Sequence, residues 1–332
     1  METVRFGIIG AGGIGGHHLQ VIAERDDAEV TLVCDVAETV TDRLAGMGQA
    51  VTGDWQQVVA SSDVDAVVVA LPHYLYPTVV PAALRAGKHV LQEKPFAHSL
   101  RGALETVSAA RETGSVLMVC GQSRYQSGFQ RAKQILETGA LGKLFLMRGV
   151  ITYRWSAAFE DRWSWRGDRA LSGGTAIIDS GWHILDLMNW FAGVPRFVYA
   201  ATGEGRALPG HYDVDDRAVL TMDYADGAIG VATISFICLP AQRKVTLHGT
   251  EGSMEIEPTE LRLHIGPEQD AEVITLKTES DALRPQMNHF IERVRSGADP
   301  VEGAREALDV QRVIDAAYRS AESHTREEVQ NV

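Results

Sequence analysis

Over the first 120 residues, short apolar runs alternate with amphipathic, alanine-rich ones. The apolar runs cover residues 4–10, 29–35, 66–71, 89–92 and 116–121. They are apolar almost without interruption, as strands must be in a parallel sheet covered on both faces. Between them, 14–25, 40–46, 55–60, 77–86 and 100–113 carry the spacing of amphipathic helices. Gly87 and Gly114 stop two of these helices, where a positive φ costs glycine little. Strands and helices in strict alternation predict a doubly wound α/β domain, a Rossmann-like parallel sheet.

The pattern changes past residue 121. A helix over 129–137 leads through Gly139 and Gly142 to a long strand over 144–153, and a helix over 175–191 follows. From 197 to 276 the chain reads as strands joined by turns, among them Ala225-Asp226-Gly227 and Gly249-Thr250-Glu251-Gly252. The runs 218–224 and 228–236 read as the two arms of a hairpin. Helices near 286–296 and 304–320 close the chain, and the polar tail from His324 is expected to fray. The reading is therefore two domains, 1–122 and 123–332, the second an α+β domain with an open, mostly antiparallel sheet.

A length of 332 residues fits two domains. The net charge of −13 argues against nucleic-acid and anionic-membrane partners, which demand a positive surface. No apolar run approaches the length of a membrane span, and the start METVRFGIIG lacks the features of a secretory leader. Cys34, Cys120 and Cys238 are far apart in apolar runs with no CxxC pair, so they are expected to be buried, reduced thiols in a cytoplasmic protein.

Gly10-Ala11-Gly12-Gly13-Ile14-Gly15 is a GxGxxG between the first strand and the first helix. In that setting Gly10 permits a tight turn, Gly12 lets a pyrophosphate approach the backbone, and Gly15 lets helix and strand pack closely. The helix start adds N–H groups and a positive dipole end for the phosphates. A glycine turn with no ligand would show the same letters; the strand–turn–helix setting favours a dinucleotide. Asp35 ends the second strand, where a carboxylate accepts adenosine ribose hydroxyls and repels a 2′-phosphate. This favours NAD over NADP, with Arg43 further on as the one cation able to oppose it. Asp35 can equally cap the helix that follows.

Glu93-Lys94-Pro95 follows the strand at 89–92, beyond the carboxyl ends of the strands where open α/β sheets bind ligands. A lysine there can hold a substrate hydroxyl, or it can be a surface lysine paired with Glu93. Asp179 and His183, four apart after Ser172-Gly173-Gly174, would share one face of a helix. Histidine is the usual acid/base near neutral pH. The same pair could be a plain helix-face contact or two metal ligands, but no further Cys or His nearby completes a metal shell. Tyr153, Trp155, Phe159, Trp163 and Trp165 cluster with Arg154, Arg162, Arg166 and Arg169. Such a set can stack on sugar rings and bind hydroxyls, or pack in a core or an interface. Arg124-Tyr125 is a further candidate substrate wall, while His17 and His18 are expected to pack or to face solvent.

Together, Gly10–Gly15, Glu93-Lys94-Pro95 and Gly173-Gly174 followed by Asp179-x-x-x-His183 resemble the glucose–fructose oxidoreductase/inositol dehydrogenase/rhizopine-catabolism (Gfo/Idh/MocA) family nearly end to end. Ala86-Gly87-Lys88-His89-Val90 and Gly139-Ala140-Leu141-Gly142-Lys143 extend the likeness. The resemblance implies an NAD-dependent oxidoreductase that moves hydride between a secondary alcohol of a sugar or cyclitol and nicotinamide. It assigns catalysis to Lys94, Asp179 and His183. It assigns cofactor contacts to Gly10, Gly12, Gly13, Ile14, Gly15, Asp35, Leu71, Pro72, His73, Glu93, Lys94, Gln122, Trp165 and Arg166. Substrate contacts fall to Lys94, Arg124, Tyr153, Trp155, Arg166, Asp179 and His183, with no metal. The run Pro72-His73-Tyr74 departs from the family's usual Asn after that Pro. A homodimer or homotetramer through the second domain's sheet is also implied. Two other activities are compatible with the same motifs: an NAD-dependent glycosidase using transient ring oxidation, and a non-catalytic NAD sensor.

Overall fold

The computed structural model describes residues 3–155, 163–204, 212–266, 271–276 and 282–331. Two compact units emerge. The first comprises Met1–Cys120 and Leu283–Leu308, the second Gly121–Ala282 and Asp309–Val332.

In the first unit the strands are β1 (Val4–Ile9), β2 (Ala28–Cys34), β3 (Val51–Thr52), β4 (Ala66–Val69), β5 (His89–Gln92) and β6 (Leu117–Val119). They form one sheet in the order β3-β2-β1-β4-β5-β6, and every pairing is parallel. The order reverses direction at β1/β4, the switch point of a doubly wound fold. All four residues of β4 are buried, as are Phe6, Ile8, Val33, Leu91 and Leu117. Each such side chain contributes about 1.5–3 kcal/mol on burial, which is why unbroken apolar runs mark these strands. The two-residue β3 is too short to leave such a run. Helices α1 (Gly13–Ala23), α2 (Glu38–Gly46), α3 (Trp55–Ala60), α4 (Tyr76–Arg85) and α5 (Leu100–Thr113) connect the strands. Gly114 closes α5 at φ 71°.

A boundary at 122/123 would leave 283–308 in the second domain, but Leu283–Leu308 packs with the first unit. Met287, Phe290 and Ile291 are buried, the Phe290 ring lies 6.1 Å from that of Phe6, and Leu117 N–H donates to the Pro300 carbonyl at 2.8 Å.

The second unit opens with α6 (Ser127–Glu137), β7 (Leu144–Arg154), α7 (Trp163–Arg166) and α8 (Arg169–Ser172). A π-helical turn (Ala176–Ser180) and α9 (Trp182–Ala192) follow. The remaining strands are β8 (Phe197–Glu204), β9 (Asp215–Asp223), β10 (Ile229–Ser235), β11 (Ile237–Gly249), β12 (Gly252–Ile256), β13 (Glu260–Ile265), β14 (Glu272–Thr275) and β15 (Glu327–Glu328). The nine-stranded sheet runs β14-β13-β12-β11-β7-β10-β9-β8-β15. Only β7/β10 pairs in parallel; β9 and β10 form the expected hairpin. Met147, Gly149 and Ile151 alternate onto the face packed under α9. A Cβ on Gly149 would stand 2.7 Å from both Ile184 and Met188, so glycine sets the close approach of that helix. The opposite face leaves Tyr199, Val219 and Ile229 exposed.

Three expectations are corrected. The segment 175–191 is not one helix: Ser180 N–H reaches back to Thr175 O (3.3 Å) and Gly181 N–H to Ala176 O (2.7 Å), five residues each, before α9 starts. The polar tail is tied down, because β15 pairs with β8, Val329 is buried, and Val329 N–H donates to Arg196 O at 2.9 Å. Cys238 is exposed on β11, whereas Cys34 and Cys120 are buried. No helix among the described residues is long and apolar enough to cross a membrane.

Candidate active site

In the first unit the glycine loop joins β1 to α1. Gly10 has φ 89°, and a Cβ there would meet Ala70 O at 2.2 Å. At Gly15 a Cβ would sit 1.8 Å from Gly10 O, so the helix can start this close to the strand only with glycine. At Gly12 the same Cβ would meet nothing within 4 Å. The three positions thus show a forced turn, a close packing contact and an open cradle, which suits a pyrophosphate on the start of α1. Gly13 and Ile14 form its first turn, with Ile14 partly exposed. Asp35 is half-buried after β2; its Oδ2 accepts Ala11 N–H (2.8 Å) and its Oδ1 accepts Ala37 N–H (2.9 Å). The one carboxylate braces the glycine loop and caps the turn after β2. Leu71 and Pro72 are half-buried past β4. His73 is buried, and its ring stacks 6.3 Å from Tyr76.

Lys94 is half-buried on the loop after β5, and that loop is held from below by two buried side chains. The Gln92 amide donates to the carbonyls of Glu93 (3.3 Å), Pro95 (3.1 Å) and Phe96 (2.6 Å). Glu93 was expected at the cofactor, yet its carboxylate turns inward. Oε1 shares a 2.9 Å hydrogen bond with His18 Nε2, and Oε2 accepts Lys94 N–H at 3.2 Å. Burial works to raise the Glu93 carboxyl, but the hydrogen bond and charge of His18 and the charge of Lys94 leave it below the usual range. The Cys120 thiol is 4.0 Å from His18 Nε2 and accepts from the Gln286 amide at 3.1 Å. Burial first, then the Glu93 charge, push that thiol well up. The ligand atoms of His18, Glu93 and Cys120 lie within 4.8 Å of one another, close enough for a metal ion. Each is engaged by a neighbouring protein group, which accounts for the cluster as a hydrogen-bonded support of the Lys94 loop.

In the second unit Asp179 is buried in the π-helical turn and His183 is half-buried in the first turn of α9. Arg166 Nε stands 3.4 Å from Asp179 Oδ2, and its guanidinium lies 4.2 Å above the Trp165 ring. Tyr153 hydroxyl and Ser180 Oγ share a 2.6 Å hydrogen bond. Burial, then the negative charge of Asp179, push the Tyr153 phenol up to about 12, so it stays protonated as a donor or acceptor. Trp155 stacks at 4.6 Å on Phe236 and lies 6.1 Å from the Tyr153 ring. Tyr153, Trp155, Trp165, Arg166 and Asp179 are thus linked by short contacts. Phe159 and Arg162 lie outside the described residues.

Arg124 was expected to wall the substrate. It forms a two-pronged ion pair with the buried Asp186, at 2.6 Å from Nη2 and 3.0 Å from Nε, beside Trp190. Gln122 sits at the start of the same short 3₁₀ turn (Gln122–Tyr125).

Sequence reasoning missed the groups that hold the π-helical turn. Asp215, wholly buried, accepts the N–H groups of Thr175 (Oδ1, 2.8 Å) and Ile177 (Oδ2, 2.8 Å) and the hydroxyl of Tyr318 (3.0 Å). Tyr318 lies on the long helix Glu302–Ser323, and its oxygen in turn accepts Ile178 N–H at 3.3 Å. Thr175 Oγ1 donates to Arg166 O at 2.9 Å, so the same turn anchors Arg166. The only signal in the letters was an acidic pair, Asp215-Asp216, opening a strand otherwise apolar on alternate positions.

A parallel sheet with this glycine loop, an acidic residue after β2 and a polar cluster in a second unit define a dinucleotide-dependent oxidoreductase. Comparison with known proteins agrees. Residues 4–120 match the oxidoreductase family with an NAD-binding Rossmann fold, and 129–255 match the Gfo/Idh/MocA C-terminal domain. The chain belongs to the Gfo/Idh/MocA family of oxidoreductases. It is 26% identical to the levoglucosan dehydrogenase of Pseudarthrobacter phenanthrenivorans over 76% of this chain and 73% of that one. It is 28% identical to D-xylose 1-dehydrogenase (NADP(+)) 2 of Haloferax volcanii over 96% and 97%. A solved levoglucosan dehydrogenase in complex with NADH and levoglucosan shares its fold, with a TM-score of 0.91, 22% identity, and coverage of 99% of this chain and 100% of that one.

Proposed function

We propose that the protein is an NAD-dependent dehydrogenase of a secondary alcohol on a sugar or cyclitol. The observation that carries this reading is the cluster around Asp179: a buried carboxylate, an arginine fork and a neutral phenol beside two tryptophans, in a family whose relatives act on sugars. Such a cluster offers donors and acceptors to several hydroxyls and an apolar wall to a ring.

The open cradle at Gly12 and the carboxylate of Asp35 fit a dinucleotide, with Gly10–Gly15 and Asp35 as its holders. When bound, nicotinamide supplies the hydride acceptor. In the forward direction the alcohol C–H pair leaves as hydride, the O–H proton passes to His183, and the carbon becomes a ketone. Lys94 offers its ammonium to a substrate hydroxyl and favours the alkoxide. Asp179 holds a neighbouring hydroxyl or orients the imidazole, and Tyr153 and Arg166 bind further hydroxyls. Asp35 selects NAD, since a second negative charge at the 2′ position would meet its carboxylate. A homodimer or homotetramer through the open sheet face is part of this reading; the exposed Tyr199, Val219 and Ile229 support it, and light scattering of the purified chain tests it.

The test is an absorbance assay for NADH with levoglucosan, D-xylose, methyl glucosides and myo-inositol, run with NAD+ and with NADP+. Reduction of NAD+ by one of these, lost in Lys94→Ala and in His183→Asn while NADH still binds, supports the reading. No reduction with any of them, or full activity in Lys94→Ala, overturns it. Release of an aglycone without net NADH would point to the glycosidase instead.

A further inference from the structure

We propose that Asp215 and Tyr318 are positioning residues for Asp179, acting through the π-helical turn; this rests on the proposed role of Asp179 in sugar binding. π-Helical turns are rare and, where they occur, frequently mark functional sites. Here the turn has specific support. The backbone N–H groups of Thr175, Ile177 and Ile178, just before Asp179, point at two side chains from 40 and 140 residues further along the chain. Asp215 takes two of the three N–H groups, one on each carboxylate oxygen, and Tyr318 takes the third while donating to Asp215.

Gly174 makes the arrangement possible. It sits at φ 125°, and a Cβ there would lie 2.1 Å from the Tyr318 hydroxyl and 3.0 Å from Asp215 Oδ1. The glycine pair before the turn therefore leaves room for the phenol that closes the clamp. The direction of action follows from the geometry. Neither Asp215 nor Tyr318 bonds to Asp179 itself, but both fix the backbone that carries it, and Thr175 passes the constraint to Arg166. A shift of this turn would spoil the Asp179–Arg166 pair and the first turn of α9, where His183 begins. Catalytic geometry is sensitive to displacements of about 1 Å, which can cost on the order of a hundredfold in rate.

The experiment is a double-mutant cycle of Tyr318→Phe and Asp179→Asn on the full chain. It is assayed with NAD+ and the best sugar of the panel above, alongside amide hydrogen exchange of the segment Ala176–Ser180. Tyr318→Phe keeps the ring and removes only the hydroxyl, and thermal melting checks that it folds. The expected result is a kcat about tenfold lower in Tyr318→Phe with the NADH dissociation constant unchanged. In the Asp179→Asn background the same change should cost less than twofold, because a positioning residue has nothing left to position. The turn amides should exchange faster in Tyr318→Phe while those of β7 do not.

Equal losses in both backgrounds, or no loss in the parent, overturn the proposal while leaving the dehydrogenase reading intact. A parent chain that reduces no NAD+ with any sugar overturns that reading instead. The exchange experiment then judges the clamp alone, and unchanged protection of the turn amides rejects it.

Discussion

Each unit has a buried carboxylate beneath a segment that carries a candidate catalytic side chain, and the two are built from opposite materials. Glu93 lies under the Lys94 loop with an imidazole on one oxygen and a lysine charge close by. Asp215 lies under the π-helical turn of Asp179 and is met, among the described residues, by neutral donors, including the N–H groups of Thr175 and Ile177 and the Tyr318 phenol. Burial opposes ionisation in both. In Glu93 the partners outweigh it and the carboxyl titrates low; in Asp215 they do not and it titrates high. Hydrogen bonds alone can orient a loop as firmly as a charged pair, but they leave the carboxylate poised differently toward protons.

The largest expected effect sharpens this contrast. His18→Leu strips a buried carboxylate of its imidazole partner, and breaking a buried pair typically costs about 3–5 kcal/mol. Tyr318→Phe removes one neutral donor from Asp215 and should cost about 1–3 kcal/mol. Urea denaturation of the two variants checks the order. A Tyr318→Phe loss as large as that of His18→Leu would break the distinction between the two supports.

The first of these supports was half legible in the letters and the second was not. Glu93-Lys94-Pro95 is contiguous and follows an apolar strand, so a loop at the carboxyl edge of a sheet could be read directly. That its glutamate turns inward could not, because His18 lies 75 residues away and Cys120 follows another strand, β6. The glycine loop was legible for the same reason as the strands. Its roles are local: Gly15 answers to Gly10 O within its own β–α unit, and Gly10 to Ala70 O just past the adjoining strand β4. The second unit hid more. Asp179 and His183 at a spacing of four suggested a single helix, but a π-helical turn carries no propensity signature. Its hydrogen bonds are completed by Asp215 and Tyr318, which no window of sequence brings together. The ion pair of Arg124 was not legible, because a lone arginine does not announce its partner and Asp186 lay hidden between two core leucines. The tail was misread because two hydrogen-bonded residues at a sheet edge look like any polar end.

The pH dependence separates the carboxylates by sign. The folded-state carboxyl of Glu93 lies below its unfolded value, so its ionisation stabilises the fold above about pH 4.3, and that contribution is lost as pH falls through the folded-state value. The Asp215 carboxyl lies above its unfolded value. Its protonation favours the fold fully below about pH 3.9, and that contribution disappears as pH rises through the folded-state value. Denaturation free energies of the parent, Glu93→Gln and Asp215→Asn across the weakly acidic range should show it. As pH falls, the parent loses ground to Glu93→Gln and gains ground on Asp215→Asn. Slopes of the same sign would show that the two sites share one kind of environment.

The smallest stability effect belongs to a third carboxylate, and it is the one with the clearest readout in specificity. Asp35 is half-buried and, like Asp215, accepts two backbone N–H groups, from Ala11 and Ala37. Being wetter, it loses less on substitution. Asp35→Ser keeps an acceptor oxygen and should cost about 0.5–1.5 kcal/mol, less than Tyr318→Phe. In the proposed cofactor site, however, its charge would face the 2′ position of the adenosine ribose. Removing it should raise the NADH dissociation constant, because the ribose hydroxyls lose an ionised acceptor, and lower that of NADPH, because a repulsion is gone. Fluorescence titration with both nucleotides measures the ratio directly, and a shift toward NADPH of about tenfold corresponds to 1.4 kcal/mol. A parent that already prefers NADPH would remove Asp35 from cofactor choice and leave it as a brace of the glycine loop alone. Its role would then be the same in kind as that of Asp215: a carboxylate kept for the backbone it holds.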